Sequence, residues 1–248
     1  MAGEIIKTTG LVLTIHPWSR TSHIVTWLTA DRGCVATLVK GAVRPKSAFL
    51  GQYDLFYTCE LLYYARARGE LHAIREITPV TLREPLRTRW REATLAGYAT
   101  SLAKQFVPSG PDAADWFTFL SRFLDTLAGA DIPLDELPVR FLHLELNLIR
   151  LAGLQPDFSG CDLQRSWNDF SIDRGQFGNG ARIVRLSPPT IALLERLNAL
   201  RFIAPAAPVT ADTCNEAIRF LGFFLAYHLS PPADIRRSLV KTLFQPLN

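Results

Sequence analysis

At 248 residues, 48% apolar and 20% charged, the chain has the composition of a globular protein, long enough for one large domain or two small ones. Its longest apolar runs, such as 220–227, are too short to span a bilayer. The start Met1-Ala2-Gly3-Glu4 lacks the basic residues and apolar block of a secretory signal. Four cysteines, Cys34, Cys59, Cys161 and Cys214, stand without paired spacing, which argues against a disulfide scaffold and for a reducing cytoplasm. The net charge of +4 is uneven: residues 1–80 hold nine Lys/Arg against six Asp/Glu, the remainder eighteen against seventeen. No acid lies between Asp31 and Asp54, where Arg32, Lys40, Arg44 and Lys46 stand. A field of one sign suits a phosphate backbone, although a solvated basic loop has the same composition.

The first 80 residues read as five strands. Residues 11–15 follow Gly10, and 23–29 are β-branched and carry Trp27. Asp31-Arg32-Gly33 marks a turn, and 34–40 alternate, with Val35, Thr37 and Val39 on one side. Residues 54–64 and 71–78 follow as β-prone runs, separated by a turn at 65–69. Five short strands predict a small barrel, since closure removes exposed sheet edges. After Pro79 the period changes. Helical stripes cover 87–106, 112–128 and 134–152, the last with Pro138 as an alternative start. Ser187-Pro188-Pro189 opens a helix to Leu200, Thr210 can cap 211–229, and 234–244 form a short last helix. Within the helix-poor stretch 156–186, residues 170–173 and 182–186 flank a glycine-rich loop and read as a hairpin. The expected class is therefore α+β in two domains: a five-stranded OB-fold β-barrel over 1–80, then a helical domain over 81–248 with a small β insert at about 156–187.

Enzyme chemistry finds little support. Gly41-Ala-Val-Arg-Pro-Lys46-Ser47 is one residue short of a phosphate loop, and Pro45 removes a backbone donor that the phosphates need. His143-Leu-Glu145 matches half of a zinc-deaminase signature, without the Pro-Cys-x-x-Cys that completes it. No catalytic residue, metal site or cofactor is expected. Binding fits better. An OB-fold holds its ligand across strands 2 and 3, framed by the loops joining strands 1–2 and 4–5. Those frames are His16-Pro-Trp18-Ser-Arg20 and Ala65-Arg66-Ala-Arg68-Gly69, and strand 3 exits into Lys40, Arg44 and Lys46. All three are basic, and Trp18 offers either a face for a base or a packed rim residue of the barrel. Lys40, Arg44, Lys46, Arg20, Trp18, Arg66 and Arg68 are the candidate nucleic-acid contacts.

Several segments resemble the RecO family of DNA-repair proteins. They are Gly10-Leu-Val-Leu, His16-Pro-Trp-Ser-Arg-Thr-Ser22, Thr29-Ala-Asp-Arg-Gly33, Val39-Lys-Gly-Ala42 and Leu50-Gly-Gln-Tyr53. Leu144-Glu-Leu-Asn-Leu-Ile-Arg-Leu-Ala-Gly-Leu154 follows with Pro156, Phe158 and Cys161. The last helix carries Arg236-Arg237-Ser238 where the family usually has Lys-Ser-Arg. The resemblance implies an OB-fold, a helical domain and a small β or zinc-binding insert. It implies binding of single- and double-stranded DNA, annealing, contact with RecR and with single-strand-binding protein, and help in loading recombinase. Many relatives carry two Cys-x-x-Cys pairs in the insert. Here Cys161 stands alone between 156 and 186, with no histidine, so packing rather than zinc is expected to hold it.

The tail of single-strand-binding protein is acidic and apolar, so its receiving site needs a hydrophobic pocket with cationic rims. Leu142, Leu146 and Ile149 with Arg140 and Arg150, and Arg236, Arg237 and Lys241 on the last helix, are the candidates. Membrane association is not expected; the expected location is cytoplasmic, on the nucleoid. Two other readings stay open: a protein-interaction adaptor with weak DNA affinity, and an RNA-binding OB protein.

Overall fold

A computed structural model describes residues 4–66, 71–129, 132–200, 209–231 and 233–244. Strands β1 (Ile5–Ser19), β2 (Ser22–Thr29), β3 (Gly33–Val39), β4 (Thr58–Tyr64) and β5 (Leu71–Thr81) close a barrel in the order β1-β2-β3-β5-β4. Only β3 and β5 pair in parallel. This is the OB-fold expected from the strand count. The 15-residue β1 serves two neighbours: Ile5–Leu11 pair with β4, and Gly10–Ser19 with β2 through two bulges.

Val12, Val25, Trp27, Val35, Val39, Cys59, Leu61 and Tyr63 fill the barrel. The Trp27 Nε1–H donates to the buried Thr37 hydroxyl (2.8 Å), so these two polar groups are satisfied inside the barrel. Leu11 and Leu28, one residue out of phase with Val12 and Trp27, are also fully buried. Two helices, α1 (Trp90–Phe106) and α2 (Ala114–Gly129), account for that second buried face: α1 meets β1 and α2 meets β2. Gly33, at φ 72°, lies where any Cβ would strike the Pro108 carbonyl at 2.4 Å, so the β2–β3 turn and the exit of α1 fit together only around glycine. The chain accordingly divides into compact units Met1–Asp131 and Ile132–Asn248, later than the change of period at residue 80.

A single buried side chain adds polar order to the first unit. Arg83 sits in the left-handed region (φ 51°) ahead of a one-turn helix, Glu84–Arg87. Its guanidinium donates to Asp125 Oδ1 (2.8 Å), the Phe56 carbonyl (2.5 Å), the Thr58 hydroxyl (3.0 Å) and the Ser121 carbonyl (3.2 Å). It therefore ties the start of β4 to α2.

In the second unit α3 (Leu137–Leu151) packs with α4 (Pro188–Ala199) and α5 (Ala211–His228), and α6 (Ala233–Phe244) closes the chain. Pro138 occupies the first turn of α3, where its missing N–H costs nothing. Glu216 of α5 caps α4 from outside, accepting from the Ser187 N–H (2.7 Å) and hydroxyl (2.9 Å). Between α3 and α4 stand β6 (Asn168–Ser171), β7 (Gln176–Phe177) and β8 (Ile183–Leu186), in the order β7-β6-β8. The expected two-stranded hairpin is therefore three-stranded, because the loop contributes β7. Phe170 on β6 contacts Phe158, Phe177 and Phe220 at centroid distances of 5.7, 5.1 and 5.0 Å.

Candidate nucleic-acid interface

The 40–57 connection crosses one end of the barrel as successive tight turns, with backbone bonds from Arg44 to Gly41, Ser47 to Arg44, Leu50 to Ser47 and Gln52 to Phe49. Two bonds tie it to the β1–β2 turn: the Val43 N–H donates to the Thr21 carbonyl (3.3 Å) and the Gly41 N–H to the Ser22 hydroxyl (3.2 Å). Arg20 in that turn and Lys40, Arg44 and Lys46 in the connection are thus carried side by side, all exposed. The Arg44 side chain folds back over Gly41, whose missing Cβ leaves it room. Trp18 is 61% exposed at a bulge, so it is not a packed rim residue; its ring is open to solvent. Most of the segment expected as the first loop is strand, since His16 and Pro17 pair with Ile24 and His23; the turn itself is Arg20-Thr21.

The third basic segment lies elsewhere. β5 begins at Leu71 opposite Ala36, so Arg66, bonded to His72, lies toward the earlier part of β3, whereas Lys40 follows its last residue. Arg66 is exposed there, and its N–H donates to His72 Nδ1 (3.2 Å). Burial and the nearby charges of Arg32 and Arg66 push the His72 imidazole below its ordinary value. Arg68 falls outside the described residues. The candidates therefore form two basic groups along β3: Arg20, Lys40, Arg44 and Lys46 at its end, Arg66 with Arg32 near its start. Arg32 belongs to the acid-free stretch, yet its proximity to Arg66 depends on the parallel β3–β5 pairing, a long-range contact that local sequence does not display.

The side chains of β2 and β3 on the face away from the core are Ile24, Thr26, Leu28, Cys34, Ala36 and Leu38, of which Leu28 and Leu38 are themselves buried, opposite Val25, Trp27, Val35 and Val39 in the core. None is charged or aromatic, so charge on this face comes from its borders. A groove of about 460 Å³ opens beside the Lys40–Lys46 turn, walled by Val43, Phe49, Leu50 and Leu55 and floored by His23 and Tyr53. Local sequence does not display this groove, because its lining converges from separate segments of the chain.

The partner candidates in the second unit need correction. Leu142, Leu146 and Ile149 are core, because residues 141–149 of α3 are buried without interruption and leave no apolar face open. Arg236 is structural: its fork donates to both oxygens of the buried Glu145 (2.7 and 2.8 Å) and to the Ile218 carbonyl (2.8 Å). Gly222 makes room for it, since a Cβ there would lie 2.7 Å from Arg236 Nη1. Arg140 donates to Glu136 (3.0 Å) and Arg150 to Asn147 (2.6 Å), both half-buried. Arg237 and Lys241 remain exposed on α6.

The half-signature His143-Leu-Glu145 is likewise absorbed by packing. Glu145 holds Arg236, His143 Nε2 bonds the Leu200 carbonyl (3.1 Å), and burial pushes the His143 imidazole down to about 4. Among the described residues no group of three or more His, Cys, Asp and Glu converges to hold a metal. In the insert the donors do not fit a tetrahedral zinc: Cys161 is the single thiol, and at position 164, where a Cys-x-x-Cys pair would end, stands glutamine. The Asn168 carboxamide closes this turn instead, accepting from the Asp162 N–H (2.7 Å) and donating to the Asp162 carbonyl (3.1 Å).

Residues 1–83 match the family described as "Recombination protein O N terminal", and residues 87–235 "Recombination protein O C terminal". The chain belongs to the RecO family. It is 28% identical over 246 residues to the DNA repair protein RecO of Anaeromyxobacter dehalogenans strain 2CP-C, covering 94% of this chain and 95% of the relative. The RecO of Gloeobacter violaceus is 24% identical over 265 residues, covering 100% and 97%. That of Geobacter metallireducens is 30% identical over 161 residues, 64% of this chain and 62% of the relative. The N-terminal match coincides with the barrel and ends at Arg83; the C-terminal match begins before α1. This RecO-family chain is thus a DNA-repair protein by family, and no described helix is long and apolar enough to cross a membrane.

Proposed function

We propose that this RecO-family protein is a non-enzymatic recombination mediator whose barrel binds single- and double-stranded DNA through its backbone. The observation that carries the reading is the hydrogen-bonded union of the β1–β2 turn with the Lys40–Lys46 turn. It gathers Arg20 with Lys40, Arg44 and Lys46, the last three from a stretch without a single acid, beside an exposed Trp18. Cations on a rigid rim neutralise phosphates, and neutralising two strands at once lowers their repulsion while leaving base edges free to pair, which is annealing. No nucleotide, metal or other cofactor takes part. Contact with RecR and with the tail of single-strand-binding protein, and with it recombinase loading, rests on the family; Arg237 and Lys241 are the exposed cations of α6 for such a tail. The working location is the nucleoid in the cytoplasm.

The adaptor reading draws on the uncharged outward face of β2 and β3. A titration of fluorescent single-stranded DNA at several salt concentrations separates the two. The mediator reading expects tight binding at low salt and a steep linear fall of log K with log salt. Weak binding with a flat slope would leave the adaptor. Tighter binding to the RNA oligomer of the same sequence would indicate recognition of the 2′-hydroxyl.

A further inference from the structure

We infer that the groove beside the basic turn is a nucleobase pocket, so that the barrel end holds a base of a single strand as well as its phosphates. This inference rests on the proposed DNA-binding reading and goes beyond it, since backbone neutralisation alone leaves the bases untouched.

Three observations carry it. First, the groove and the cations share a wall. Val43, on the groove wall, lies between Lys40 and Arg44 in the same run of turns, so a strand whose phosphates meet these cations has its bases within reach of the opening. Second, the lining has the chemistry of a base slot. Phe49 offers an aromatic face, while Val43, Leu50 and Leu55 are 48%, 57% and 44% exposed, an apolar surface that water covers poorly. His23 Nδ1 and the Tyr53 hydroxyl share a hydrogen bond of 2.8 Å at the floor, giving a polar edge; burial pushes the Tyr53 phenol up to about 12, so that hydroxyl keeps its proton. Third, the wall is built to stay open. Phe49 and Tyr53 pack on the barrel core, and the Phe56 N–H and Tyr57 carbonyl bond Val12 (3.3 and 2.9 Å), fixing the far side of the connection. The groove's one acid, Asp54, is paired with Arg87 (3.5 Å), so it presents little negative charge to a strand.

Abasic oligomers test this directly, because they keep sugar and phosphate and lack bases. The full chain should bind an oligothymidylate about tenfold more tightly than an abasic oligomer of equal length. Replacing Val43, Leu50 and Leu55 together with Ser, all at exposed positions, should abolish that difference, leave abasic binding and its salt slope unchanged, and leave the melting temperature near that of the parent. Lys40→Ala, Arg44→Ala and Lys46→Ala together should weaken both oligomers. Equal binding of both oligomers by the parent overturns the pocket and leaves backbone binding intact; binding of neither overturns the DNA reading itself. A difference that survives the triple Ser variant moves the base contact elsewhere, Trp18 first. Displacement of bound oligothymidylate by an acidic apolar peptide, lost in the triple Ser variant, would assign the groove to a protein partner and overturn the proposal.

Discussion

Arg83 shows how one residue can organise a region without touching any ligand. It serves four acceptors, three of them on the 56–58 segment and the α2 backbone, and the side chain is 2% exposed. Burial pulls its pKa down while Asp125 opposes the fall, so it stays charged and needs every partner. Removing it strands the buried Phe56 carbonyl, while the Ser121 carbonyl, inside α2, keeps its intrahelical partner. Arg83→Ala should cost the first unit about 3 kcal/mol or more in urea unfolding. Arg83→Lys should recover less than half, because an ammonium cannot reach donors placed as a fork. A loss under about 1 kcal/mol for the alanine variant would reduce Arg83 to a surface arginine. Nothing in the local sequence signals this: Leu82-Arg83-Glu84-Pro85 reads as a polar linker, and its partners lie about 25 to 42 residues away.

At the scale of elements, legibility follows the range of the causing interaction. Five strands and six helices were readable because each carries its own period and its own stop, such as Ser187 ahead of Pro188 or Thr210, whose hydroxyl accepts from the Thr213 N–H (3.3 Å). The sequence marks only residues 11–15 of the long β1, since its ends are ordered by pairing with β4 and β2. By its sequence α3 looks one-sided, because neighbours that bury its second face arrive much later, His143 meeting Leu200 and Glu145 meeting Arg236 at separations of 57 and 91 residues. The insert is the sharpest case. Missing zinc ligands were visible, but not their replacement: the Phe158–Phe170–Phe220 cluster, the Asn168–Asp162 clamp and the Asp173 carboxylate. Asp173 accepts from the Arg182 N–H (3.0 Å) and the Ser171 hydroxyl (2.9 Å), which hold it at about 2 against an ordinary 3.8. Its folded pKa is depressed, so its contribution is present above pH 3.8 and fades as pH falls toward 2. These contacts predict a metal-independent insert. Elemental analysis should find less than about 0.1 zinc per chain, chelator should leave melting unchanged, and Cys161→Ser should shift it by no more than about a degree, whereas Phe170→Ala should cost about 3–5 kcal/mol. One zinc per chain, or collapse of the serine variant, would show ligands converging from outside the insert.

Across the whole molecule the charge is partitioned. Residues 1–80 carry the surplus of cations, while the remainder is nearly balanced, eighteen basic against seventeen acidic. The second unit also pairs some of its arginines with acids: Arg236 with Glu145, Arg140 with Glu136, Arg165 with Asp162 and Arg185 with Asp169. A polyanion should therefore feel the barrel and largely ignore the helical part, leaving the latter's surface for protein partners. The two roles should then separate by mutation. Lys40→Ala, Arg44→Ala and Lys46→Ala together remove three of the proposed phosphate contacts, so the log–log salt slope for single-stranded DNA should fall by about two units, with affinity at low salt down by orders of magnitude. Arg237→Glu with Lys241→Glu changes the net charge by four, more than that triple variant does, yet it should leave slope and affinity nearly unchanged, because the proposed phosphate contacts all lie on the barrel. The comparison discriminates between a local site and a generalised attraction. If binding simply tracks net charge, the α6 reversal will weaken it more than the barrel variant, and the reading of a site at the end of β3 fails.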